Sequence, residues 1–174
     1  MPSGKSHDRI TLWLLPVVLT AAFVVTLEVP LTVMASIAFL IGGFMMGPDL
    51  DIRSVQYRRW GPVRWIWYPY QRLIKHRSTW SHGPLIGTLV RVAYLGAWIA
   101  LFVAAGVLAL NYFWQAQLSW DMIGSALGRF FARYRREWLA LLAGLEFGAL
   151  SHYTSDWLTS AFKKKRRRQQ RRKK

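Results

Sequence analysis

Residues 85–110, "LIGTLVRVAYLGAWIALFVAAGVLAL", run for 26 positions with a single charge, Arg91. At about 1.5 Å per residue such a helix outspans the hydrocarbon layer of a bilayer. Arg91 stands close enough to the start of the run to reach back toward the interface. Working outward, residues 10–27 and 31–47 form two further charge-poor runs apart from terminal punctuation, each long enough to cross a thin layer. A fourth, shorter run at residues 138–150 carries Glu146 and reads as a helix shielded by the others, with Glu146 hydrogen-bonded to its neighbours. The pattern predicts an all-α integral membrane bundle of about four spans.

Charge sorts with this topology. The 174-residue chain is 53% hydrophobic, yet its net charge is +16. With four crossings, one side receives 19 basic residues, from the N-terminus, from residues 53–77 and from the tail, and the other side four, so the positive-inside rule places both termini in the cytoplasm. A uniformly basic nucleic-acid binder does not segregate its charge in this way. The first apolar run follows Lys5 and Arg9 as a signal peptide would, but no small-residue cleavage signal succeeds it, and an uncleaved anchor is expected. Residues 1–162 form the membrane domain. Residues 163–174 carry ten basic residues in twelve and are expected to be disordered, with anionic lipid headgroups as the nearest partner and RNA as the rival.

The scarce residues also segregate. His7 and Asp8 precede the first run, Asp49 and Asp51 follow the second, His76 and His82 precede the third, and His152 and Asp156 follow the fourth. All four histidines and four of five aspartates thus fall at the cytoplasmic ends of different spans, which a bundle gathers into one area. His152 and Asp156 stand four apart, on one face of a continuing helix. In "GPDLD", Pro48 breaks the preceding helix, and an extended or turn segment aims Asp49 and Asp51 the same way. In "HRSTWSHGP", Pro84 suits a helix start, leaving His82 at its mouth and His76 free to fold back. Taken singly each is a cap, a turn residue or an interfacial polar group; together they point to a metal site. There is no cysteine, so the ligands are imidazole and carboxylate, which suit zinc first and also manganese or iron.

"PSGKSHDRITLWLLP", "GPDLD", "HRSTWSHGP" and "SHYTSDW", in this order, resemble a family of small bacterial, often cyanobacterial, membrane metal-binding proteins. That family is similar in turn to membrane-bound metal-dependent hydrolases related to phospholipase C. The resemblance covers residues 2 to about 158 and implies ligands at His7, Asp49, Asp51, His76, His82, His152 and Asp156. "HRSTWSHGP" departs from the Thr-His-Ser usual in the hydrolases, so site and fold carry over further than activity.

Seven candidates exceed the needs of one tetrahedral ion, which suggests one or two ions, with an aspartate bridging a pair. Asp49 or Asp51, where not consumed as a ligand, is the candidate proton acceptor. Arg58, Arg59, Lys75 and Arg77 border the motifs and are candidates for binding a substrate phosphate. Two readings stay open: a hydrolase of phosphoesters or lipid-like substrates at the cytoplasmic face, and a non-enzymatic protein in which the metal staples four short helices. The aromatic and basic "RRWGPVRWIWYPYQR" reads as an interfacial belt, and "GRFFARYRREW" as an amphipathic interfacial helix.

Overall fold

The computed structural model describes the backbone of residues 4–172, and side chains throughout except at 4–5, 158–169 and 171–172. The described chain is all-helical, without strands. Five long helices, α1 (Gly4–Thr26), α2 (Val29–Phe44), α3 (Ile86–Trp114), α4 (Trp120–Arg133) and α5 (Arg135–Arg172), carry the fold. Between α2 and α3 the chain folds into a cap of short helical turns: Pro48–Asp51, Val55–Arg58, Gly61–Trp67, Tyr68–Leu73 and Thr79–His82.

Local chemistry sets these boundaries. Pro30 sits in the first turn of α2, where its missing N–H costs nothing. Gly47 and Pro48 end that helix and begin a 3-10 turn rather than an extended segment. Ser119 caps α4 by accepting a hydrogen bond from the N–H of Met122. Tyr134 interrupts "GRFFARYRREW", so that stretch divides between α4 and α5.

Three helices form a tight core. α2 and α5 run parallel, with α1 antiparallel beside both. A Cβ on Gly144 would lie 2.2 Å from the carbonyl oxygen of Ala35, and one on Gly148 would lie 2.3 Å from that of Phe39. The spacing Gly144-x-x-x-Gly148 therefore brings the two backbones into contact, as small-residue motifs do between helices in lipid. At the far end Arg136 pairs with Glu28 at 2.7 Å, tying the start of α5 to the α1–α2 link.

α3 stands apart. Its first half packs Val90, Val92, Tyr94, Leu95 and Trp98 against the core of the cap, built on Met46, Leu50, Tyr57, Ile66, Trp67 and Tyr70. From Ile99 onward it is mostly bare, with Leu101, Phe102 and Leu108 each more than half exposed. Two helical segments, Ser6–Thr26 and Ile86–Trp114, are long and apolar enough to cross a membrane; α2 is apolar but only 16 residues long.

Three features differ from the sequence expectations. The fourth apolar run is not a separate short helix but part of the 38-residue α5. That helix continues through Arg172, so the backbone expected to be disordered is helical as far as it is described. The side chains of residues 163–169 and all of Lys173 and Lys174 lie outside the described residues. Arg91 does not reach toward the interface: it is wholly buried, and its guanidinium donates to the carbonyl of Ser81 at 2.7 Å and to Thr88 Oγ1 at 3.0 Å. The reason is the cap, which folds over the start of α3 and closes the route to water.

Candidate metal centre

All seven candidate ligands converge. His7 comes from the start of α1, Asp49 and Asp51 from the 3-10 turn, His76 from a loop, His82 from the end of Thr79–His82, and His152 and Asp156 from successive turns of α5. Two trios result, His7 with His152 and Asp156, and Asp49 with His76 and His82; within each, one donor atom per residue lies within 4.8 Å of the others. Asp49 joins the trios. Its Oδ2 lies 3.3 Å from His152 Nε2 and its Oδ1 3.7 Å from His82 Nε2. Asp156 faces both remaining imidazoles of its trio, with Oδ1 3.4 Å from His7 Nε2 and Oδ2 3.9 Å from His152 Nε2.

Three imidazoles are oriented through Nδ1. Ser155 Oγ lies 2.6 Å from that atom of His7, Ser81 Oγ 2.9 Å from that of His82, and Asp51 Oδ1 2.8 Å from that of His76. Such contacts fix a ring's tautomer and direction and leave Nε2 to the ion in metal sites. His7 also stacks on His152, ring centroids 3.9 Å apart. Asp51 belongs to neither trio; with its side chain wholly enclosed, it contacts His76 and His82 from behind.

The polar accounting tests whether a cation fits here. Among the described residues, Asp49 Oδ1, Asp51 Oδ2, His82 Nε2, both ring nitrogens of His152 and Asp156 Oδ1 are buried without a hydrogen-bond partner. Buried polar atoms are rarely left so, and each costs about 1–3 kcal/mol when unsatisfied. Five of the six, all but Asp51 Oδ2, sit on residues of the trios, and oxygen and imidazole donors of this kind suit a divalent transition metal. Burial raises the pKa of Asp49, but the imidazoles of His152 and His82 against its oxygens outweigh that and hold it well below the usual carboxylate range.

The first trio and Asp49 open on a cleft of about 100 Å³, whose rim includes Asp8, Gln56 and Arg59. Arg59 grips Asp8 through both guanidinium nitrogens, at 2.9 and 2.6 Å. Of the four basic residues expected near a substrate, Arg59 alone lines this cleft. Arg58 lines a separate one, and Lys75 and Arg77 are exposed on the loop before His82.

Sequence reasoning missed several residues that hold the site. Ser155 sits three positions after His152, on the same helical face, and that spacing was a usable signal. Ser81 adjoins His82 but gave no signal of its own, since serine before a helix reads as a cap. Arg91 supports Ser81 from beneath. Burial pushes the Tyr70 phenol up to about 12 despite the neighbouring guanidinium, so Arg91 has no phenolate partner. Glu146 does take the hydrogen-bonded role expected of it, accepting the N–H of Leu85 at 2.9 Å at the mouth of α3.

A protein of Aquifex aeolicus (strain VF5), described only as uncharacterized, is 38% identical over 60 residues, which is 34% of this chain and 42% of that relative. The matched segment thus spans less than half of the relative's length. No solved structure matches the chain. The family described as "Uncharacterized metal-binding protein (DUF2227)" matches residues 2–166, and the chain, with its imidazole and carboxylate cluster, belongs to that metal-binding family.

Proposed function

We propose that the chain is a membrane-embedded, metal-dependent hydrolase acting on a phosphoester or lipid-like substrate at the cytoplasmic face, with two ions, preferably zinc. The observation that supports this best is Asp49, a member of one donor trio, facing His152 of the other, beside a cleft with an arginine at its rim. His7, His152 and Asp156 would hold one ion, and His76 and His82 the other, with Asp49 shared. When bound, such ions supply Lewis acidity and lower the pKa of water to about 7. Asp49, whose two oxygens face the imidazoles of His152 and His82, would contribute to both sets of ligands. Asp51 is enclosed against His76 and would orient it, and whichever of Asp49 and Asp51 is not consumed as a ligand would accept the proton of a bound water. Arg59, steadied by Asp8, would meet the substrate phosphate.

Membrane embedding draws on the bare apolar surfaces of α1 and α3, the backbone contact of α2 with α5 and the basic residues concentrated toward one end. In this reading the four crossings place both termini in the cytoplasm, and the tail lies along anionic headgroups.

A second reading has its own observation: the ligands come from five separate segments of the chain, so an ion would staple α1, the cap and α5 together. Metal content of the purified chain, beside His82→Ala and His152→Ala checked for a monodisperse fold, tests the site. Each variant should lose at least one ion per chain, and unchanged stoichiometry in both would overturn it. Chelation separates the readings. A catalytic site loses phosphoesterase activity while the helices persist, whereas a staple loses metal and fold together.

A further inference from the structure

A second cleft, of about 580 Å³, shares no lining residue with the metal cleft and is lined by Arg53, Tyr57, Arg58, Pro62, Arg64, Trp65 and Tyr68. Three arginines and no carboxylate contribute to it. In the metal cleft, by comparison, the single arginine, Arg59, is paired with Asp8. Among the described residues none of Arg53, Arg58 and Arg64 forms an ion pair with an acid. Aromatic rings organise two of them instead. Arg53 donates to the Tyr68 hydroxyl at 2.8 Å and lies 5.8 Å from the centre of its ring, while Arg64 lies 6.0 Å from the centre of the Tyr57 ring. Gly61, at φ +54°, makes the turn between Arg58 and Arg64, a conformation that an L side chain rarely adopts.

We propose that this cleft binds the phosphate headgroup of an anionic phospholipid, an inference that rests on the membrane reading above. Two observations favour a lipid over a soluble anion. Trp65 packs edge-on against Trp98 of α3 at 5.3 Å, beside a helix long and apolar enough to cross a membrane. Tryptophan and tyrosine collect at membrane–water interfaces, which favours a headgroup as the partner of the neighbouring arginines. Val63, Trp65 and Tyr68 are also exposed around the cleft, offering apolar surface to the first carbons of an acyl chain. Guanidinium groups bind phosphate oxygens through paired, charge-assisted hydrogen bonds, and basic pockets on the cytoplasmic side of membrane helices take anionic headgroups.

The test uses the full chain in non-ionic detergent, titrated with dioctanoyl phosphatidylglycerol, dioctanoyl phosphatidylcholine or inorganic phosphate, with adducts read by native mass spectrometry. The triple variant Arg53→Gln, Arg58→Gln, Arg64→Gln is set against Arg129→Gln, Arg133→Gln, Arg135→Gln, which removes equal charge elsewhere. Phosphatidylglycerol should bind at least about tenfold more weakly to the first variant, as expected for lost charge-assisted bonds, with the second unchanged and metal content equal in both. Equal weakening in the two variants, equal binding of phosphatidylcholine, or inorganic phosphate binding as tightly as phosphatidylglycerol would each overturn the proposal. A carbonate wash of cell membranes is run alongside. Release of the chain by carbonate defeats the membrane reading itself, whereas retention with no phosphatidylglycerol preference defeats the cleft alone.

Discussion

α5 and the far half of α3 are both helical and both contain apolar residues, but they meet their surroundings in opposite ways. α5 presses glycine backbone onto the backbone of α2 and leaves no room for a side chain at Gly144 or Gly148. Beyond Trp98, α3 has open space around Gly106 and turns most of its large side chains outward. The difference shows that hydrophobicity does not tell a helix which neighbour to choose. Close backbone approach and polar contacts decide which helices pair where apolar surface alone does not discriminate. α5 has both, through its glycines and through Glu146, His152 and Asp156. The far half of α3 has neither.

The largest expected effect comes from filling the α2–α5 contact. Gly148→Leu places atoms where the Phe39 carbonyl and Gly43 nitrogen already stand, within 2.6 Å of even a Cβ. It should cost more than about 3 kcal/mol and abolish a monodisperse preparation. Gly106→Leu, in open space, should leave the thermal midpoint unchanged or raised, since leucine favours helix over glycine by up to about 1 kcal/mol. Equal losses in the two variants would erase the distinction between the helices.

A smaller effect is expected at the junction of the two regions, where α3 begins under the cap. Arg91→Met removes the close guanidinium donor to the Ser81 carbonyl, leaving only the Tyr153 hydroxyl at 3.5 Å, and should cost about 1–3 kcal/mol in a denaturation experiment. Because Ser81 contacts His82, metal affinity should fall with it. Arg91→Lys should recover part of the affinity, as it retains a donor and the charge. Full metal affinity in a well-folded Arg91→Met protein would show that the ligand turn needs no support from α3.

The smallest effect is expected at the far end of α5. The Arg136–Glu28 pair is about half exposed on both partners. Arg136→Ala should change stability by less than about 1 kcal/mol and leave metal content untouched. A loss as large as that of Arg91→Met would mean that this end, rather than the glycine contact, holds α5 in place.

The sequence by itself determined the helical class, since long charge-poor runs interrupted by proline and glycine leave the backbone few other ways to satisfy its hydrogen bonds. It also determined the candidate ligand set: histidine and aspartate are scarce here, and their placement at run ends was visible without coordinates. Tertiary structure decided what those residues do. Asp49 belongs to one trio and faces the other while Asp51 belongs to neither, although both occupy one short turn, because a 3-10 turn and its packing set their directions. Arg91 looked like a residue able to reach water and is instead sealed beneath the cap, which local spacing could not reveal. Ser81, Ser155 and the division of the arginines between two clefts depend likewise on which helices and turns approach one another. Period and composition record how each segment behaves alone, whereas a coordination shell is assembled from residues as far apart as His7 and Asp156, whose proximity exists only once the chain has closed.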